Sequence, residues 1–214
     1  MTDLQKELQA WLSTLSHYSL PKWDALPDLD LYMDQIVTYL ERELAPLSVE
    51  DQEKMITTWM INNYVKGNLL PNPVKKKYSK EHLGYLLGIS AIKQILSIPN
   101  IAMLFQYSDD TKIKAKSLYR FFRNIQTDKI NTISSELLTQ IKDINLDSET
   151  DDSKLKSILY ELVFKLAVEA EVKKIIANKI LYFISQAEMK NPVTQSQIDK
   201  NELEKLDKEK KKGK

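Results

Sequence analysis

No cysteine occurs in the 214 residues. This absence removes disulfides, thiolate metal sites and cysteine nucleophiles together, and it predicts a chain that works in a reducing compartment. Glycine is scarce as well, with four in the chain, and none forms a phosphate-cradling loop. The two histidines, His17 and His82, are far apart and read as ordinary surface or packing residues. No Ser-His-Asp or metal-ligand spacing accompanies them, so the reading predicts no catalytic residue, no metal and no cofactor. No run approaches the roughly 20 apolar residues a membrane-spanning helix needs. Met1 to Leu12 offers no apolar block behind a basic start, so no secretory signal and no membrane partner are predicted, and the cytoplasm is the expected location.

What the chain does have is a globular composition, 43% hydrophobic and 29% charged. Its formal net charge of +1 conceals an uneven distribution. Nine acidic residues and one base, Arg42, lie between Asp24 and Glu53. From Lys54 to Lys80 there are six lysines and neither Asp nor Glu. Such a stretch is what a local phosphate footprint would look like, although a solvated face also accumulates lysine by chance.

Apolar spacing predicts an all-α chain. Leu4, Leu8, Trp11, Leu12 and Leu15 mark a helix over 2–16. Pro21 and Pro27 interrupt, and Trp23 and Leu26 are expected to clamp an extended connector onto the core. A helix over 31–43, capped by Asp28 or Asp30, is followed by a short one over 58–66, a lysine-rich strand-like piece and a mostly buried helix over 80–96. A short helix begins at Pro99, and two more are expected over 110–126 and 128–143. The last, over 152–187, carries the stripe Leu155, Leu159, Leu162, Leu166, which slips at Glu169–Lys173 and resumes at Ile176, Ile180 and Phe183; a slip of this kind marks a kink or a change of face. Gly84 and Gly88 read as a helix-packing device. Tyr119, Phe121 and Phe122 read as core, though a small-molecule pocket between helices would need similar residues. Glu161, Glu169 and Glu171 read as a solvated face.

The stretch Ile56 to Leu83 has the parts of a recognition helix and a wing. Thr57 can cap the helix, Ile61, Tyr64 and Val65 pin it to the core, and Asn62, Asn63 and Lys66 then face outward with Trp59 in the first turn. Gly67-Asn68 supplies a residue able to take positive φ, and Leu69 and Leu70 return to the core. A hairpin over Asn72 to Tyr78 carries Lys75, Lys76 and Lys77, and Ser79 caps the next helix. Asparagine can read adenine in the major groove, while lysines on a wing hold phosphate without reading sequence.

With Thr57, Ile61, Asn63-Tyr64, Asn68-Leu69-Leu70-Pro71, Tyr78-Ser79 and Glu81-His82-Leu83 in this order, the stretch resembles the DNA-binding head of the mercury-resistance-regulator family. Ser97-Ile98-Pro99-Asn100-Ile101 resembles that family's helix pair after the wing. The resemblance implies a winged helix-turn-helix (MerR-like) head over residues 1–108. Region 109–187 then becomes a C-terminal helical bundle or dimerisation helix, and 188–214 a disordered charged tail. It implies sequence-specific regulation of transcription through double-stranded DNA, with Thr57, Thr58, Trp59, Asn62, Asn63, Lys66, Lys75, Lys76, Lys77 and Tyr78 at the interface. A homodimer through 152–187 is expected, against the alternative that helices 110–143 cover that stripe within one chain. Over about 1–110, Leu20-Pro21-x-Trp23, Leu31-Tyr32-Met33-Asp34-Gln35 and Met60 to Lys66 are also similar to an uncharacterised family of low-GC bacterial proteins. The competing functional reading is a helical protein-interaction module that does not bind DNA.

Overall fold

The computed structural model describes residues 3–48, 54–110, 114–144 and 151–190. Seven α-helices follow one another among them: α1 Asp3–Ser16, α2 Met33–Leu44, α3 Thr58–Lys66, α4 Lys80–Ile92, α5 Ile98–Asp110, α6 Ala115–Lys142 and α7 Asp151–Lys190. Pairing between extended segments is limited, among the described residues, to two isolated antiparallel bridges, Leu31 with Tyr78 and Val74 with Lys77. The chain divides into two compact units, Met1–Leu166 and Ala167–Lys214. No described helix is long and apolar enough to cross a membrane.

The first unit is organised around α4. Leu83, Gly84, Leu86, Leu87, Gly88, Ile89 and Ser90 are all buried, as a helix that is apolar on every side requires. Leu83, Leu86 and Leu87 share one core with Ile36, Leu40 and Leu44 of α2 and with Ile61 and Tyr64 of α3. α6 also packs on α4, and Gly84 sets how closely its neighbours approach. A Cβ added there would lie 2.9 Å from Trp23 Cζ3 and 3.6 Å from Tyr119 Cβ.

The connector between α1 and α2 is held by α6. The Tyr119 hydroxyl donates to the Pro21 carbonyl (2.8 Å), Arg123 Nε donates to the Leu20 carbonyl (2.6 Å), and Lys116 pairs with Asp24 (3.0 Å). Trp23 packs against Tyr119 with ring centroids 5.8 Å apart. Leu20 and Leu26 are buried beneath. At the far end of α6, buried Gln5 of α1 donates its amide to the carbonyls of Ile141 (2.9 Å) and Ile144 (3.3 Å). The Ile141 carbonyl is one of the terminal carbonyls that a helix leaves without an internal partner, and Ile144 lies just past the helix end.

The structure departs from the sequence reading in several places. The helices expected over 110–126 and 128–143 are one continuous helix, α6. The polar run Asn124 to Asp128 contains neither proline nor glycine, and polarity alone does not interrupt an i→i−4 ladder. α4 ends at Ile92, four residues early. Neither Asp28 nor Asp30 caps α2; the cap position is Tyr32, whose backbone N–H donates to the Gln35 side-chain oxygen (2.9 Å). α7 runs unbroken through Glu169–Lys173. Leu155 on its stripe is fully buried in the first unit, while in the second unit Ile176, Ile180 and Phe183 are exposed. Most of the acidic loop expected over 145–152 and nearly all of the tail expected from 188 lie outside the described residues.

The two α4 glycines make this packing testable. Gly84→Ala is expected to lower stability by about 1–3 kcal/mol through overpacking against Trp23. Gly88→Ala, whose Cβ would stop 4.0 Å from its nearest neighbour, is expected to gain up to about 1 kcal/mol from helix propensity. Urea unfolding followed by circular dichroism measures both, and equal midpoints would contradict the packing.

Candidate nucleic-acid interface

α3 is fixed at both ends by its own sequence. Thr57 sits at the N-cap in an extended conformation, and its hydroxyl accepts from the Met60 N–H (3.2 Å), a contact whose loss typically costs about 1 kcal/mol. At the other end Asn68 takes the left-handed conformation, φ 54°, which asparagine tolerates better than most residues. The Leu69 and Leu70 N–H groups then both donate to the Tyr64 carbonyl, at 2.9 and 3.1 Å. Ile61, Tyr64, Leu69 and Leu70 are all buried.

With that face pinned, a turn of 3.6 residues brings Thr58, Asn62, Lys66 and Trp59 onto one outward arc of about 100°. All four are exposed, Trp59 at 72%. Asn63 lies at the margin of the arc and is half-buried. The Thr57 hydroxyl is committed to the cap.

The wing is a two-residue hairpin. Val74 and Lys77 exchange backbone hydrogen bonds at 3.1 and 2.9 Å, and the central residues Lys75 and Lys76 have φ of 51° and 63°. Positive φ at both central positions is the type I′ pattern that suits the twist of a hairpin and favours Asn-Gly. Two lysines in its place cost about 1 kcal/mol each. Both are exposed, and among the described residues neither they nor Lys66 make an ion pair. Lys77 instead folds its ammonium over the Tyr32 ring, 5.1 Å from the centroid. No sequence signal joins these two residues, because the Leu31–Tyr78 bridge that aligns them spans 47 positions.

The same bridge corrects two expectations. Tyr78 is 3% exposed, a core residue tied to Leu31 by backbone bonds of 2.9 and 2.8 Å, so its ring is not a surface contact. It also brings Asp28 and Asp30 beside the wing, where Lys80 pairs with Asp28 and Asp30 acts electrostatically on His82. The stretch free of acid in sequence therefore has carboxylates next to it in space, at the base of the wing rather than at its tip.

His82 joins the wing to α4. Its Nδ1 accepts from the Ser79 N–H (3.0 Å), and Nε2 lies 3.2 Å from the Pro71 carbonyl. These contacts suit the neutral ring protonated on Nε2. The ring also meets Tyr78 edge-on, centroids 5.4 Å apart. Among the described residues no group of three or more His, Asp or Glu is arranged to hold a metal ion.

Residues 21–122 match a family model described as Domain of unknown function (DUF1836). No curated protein and no solved structure matches the chain. The matched stretch starts at Pro21, whose carbonyl accepts from Tyr119, and ends at Phe122, one residue before Arg123. It thus takes in α2 to α5 and the start of α6. Its description assigns no activity and does not point to the mercury-resistance regulators.

Burial disfavours the imidazolium and holds His82 below the usual histidine range. The unfolded chain then binds that proton more readily than the folded one, so this contribution to stability is present above about pH 6.5 and declines as pH falls below it. Urea midpoints are expected to fall as pH drops below about 6.5, and the fall is expected to be smaller in His82→Gln. An identical pH slope in the two proteins would exclude the assignment.

Proposed function

We propose that this chain is a sequence-specific DNA-binding regulator, with α3 entering the major groove and the Lys75–Lys76 tip resting on phosphate. One observation carries the reading: Lys75 and Lys76 occupy consecutive left-handed positions of a two-residue turn. Asn-Gly would form that turn with less strain, so a requirement for charge at the tip accounts for lysine there. The exposed arc of Thr58, Trp59, Asn62 and Lys66 beside it supplies groups of the kind that contact base edges and phosphates. The resemblance of residues 56–83 to the mercury-resistance-regulator head supports the same assignment. One recognition helix reads few base pairs, and pairing two heads multiplies discrimination. The reading therefore includes a homodimer, supported by the exposed Val172, Ile176, Ile180 and Phe183 in the second unit.

A second reading rests on Trp59. An exposed tryptophan on a rigid helix is the side chain most enriched at protein-interface hot spots, and the carboxylates at the wing base suit a partner of mixed charge. Under this reading Trp59→Ala abolishes partner capture and duplex DNA does not bind.

Fluorescence polarisation with labelled duplexes over a salt series separates the two. Each phosphate contact removed, by Lys75→Ala or Lys76→Ala, is expected to lower the slope of log affinity against log salt by about 0.9 on every duplex. Asn62→Ala is expected to cost about 1–3 kcal/mol on the preferred sequence alone. Replacing Lys75-Lys76 by Asn-Gly is expected to raise stability by about 1 kcal/mol while weakening DNA binding. Duplex binding without salt dependence would remove the DNA reading, and light scattering that gives a single-chain mass at micromolar concentration would remove the dimer.

A further inference from the structure

α4 carries different surroundings on its two sides. Leu83, Leu86 and Leu87 belong to the core shared with α2 and α3. About a third of a turn around the helix, Gly84 and Gly88 line a cavity of about 520 Å³ between α4, α5 and α6. That volume lies within the range of small-molecule sites. Among the described residues, none of the thirteen that line it is Asp, Glu, Lys, Arg or His. The Tyr119 hydroxyl is already bound to the Pro21 carbonyl, so at this position the cavity sees ring rather than oxygen. Tyr85 and Phe105 meet with centroids 5.2 Å apart, forming part of an aromatic wall.

Gly88 is the informative residue. Gly84 is required by the approach of Trp23, but a side chain at 88 would meet only Phe122 Cδ1, at 4.0 Å. Glycine is a poor helix former, and packing does not demand it here; its effect is to leave the cavity floor open. At the rim Phe121 is 66% exposed, an apolar surface that a ligand would cover.

We propose that the α4–α5–α6 cavity binds a neutral, mainly apolar small molecule of about two fused or linked rings. It excludes anions and cations because no described lining group compensates a buried charge. The site does not depend on DNA binding.

The full chain is titrated with N-phenylnaphthylamine, a neutral diaryl fluorophore, and with its sulfonated relative anilinonaphthalene sulfonate. Saturable binding of the neutral probe is expected, with the sulfonate at least about tenfold weaker. Gly88→Leu fills the floor and is expected to abolish it, with an unchanged circular dichroism spectrum. Phe121→Glu, at an exposed position, puts a charge at the mouth and is expected to weaken it. Leu29→Lys, at an exposed apolar position away from the cavity, is expected to leave it unchanged, which separates the cavity from other apolar surface. Absence of saturable binding, equal affinity for both probes, or wild-type binding by folded Gly88→Leu overturns the proposal. Should Gly88→Leu fail to fold, wild-type binding by Phe121→Glu overturns it instead.

Discussion

The close approach of Trp23 to Gly84 is the constraint on which the first unit depends. α4 is too apolar to leave any side in water, so it must be covered from several directions at once. α2 and α3 cover one side through leucine and isoleucine. The connector and α6 cover the other, and there the backbone comes close because position 84 lacks a side chain. The hydrogen bonds of Tyr119 and Arg123 to connector carbonyls then satisfy polar groups that the approach would otherwise bury unpaired. The matched family stretch, 21 to 122, takes in the Tyr119–Pro21 bond of this clasp and stops just short of the Arg123–Leu20 bond.

From that centre the head follows by short steps. His82 at the start of α4 holds the backbone at Ser79 and Pro71, which fixes the loop leaving α3. Tyr78 pairs with Leu31, which sets the base of the hairpin. The tip therefore projects from a rigid base, and its strain at Lys75 and Lys76 can persist because the residues on either side are tied down. Local turn chemistry and global structure disagree at this one turn, and disagreements of that kind concentrate at functional sites.

Much of this was legible in the sequence, because the signals are local. The cap Thr57, the Ile61/Tyr64 spacing, the left-handed turn at Gly67-Asn68 and the burial of Leu69 and Leu70 each depend on neighbours a few residues away. The outward placement of Asn62 and Lys66, with Trp59 in the first turn, follows from the same periodicity, whereas Asn63, expected to face outward as well, is half-buried. What escaped is non-local. The Leu31–Tyr78 bridge turned Tyr78 from an expected contact into core and moved Asp28 and Asp30 beside the lysines. The α1–α6 pairing includes Gln5, a buried polar residue that no hydrophobic pattern selects, reaching carbonyls 136 and 139 positions away. Apolar spacing alone divides the single long α6 in two, because a polar run resembles a loop when only apolar residues are counted. The spacing of glycines 84 and 88 suggests one packing device, yet only the first is needed for contact.

The central claim is that α3 and the hairpin tip together read duplex DNA. Selection of bound duplexes from a random pool by the purified full chain tests it most directly. The account predicts a recurring short sequence in the retained pool, present for the wild type and lost for Asn62→Ala, which keeps only weak, salt-sensitive retention. A retained pool as random as the starting one, unchanged by Asn62→Ala, would contradict it.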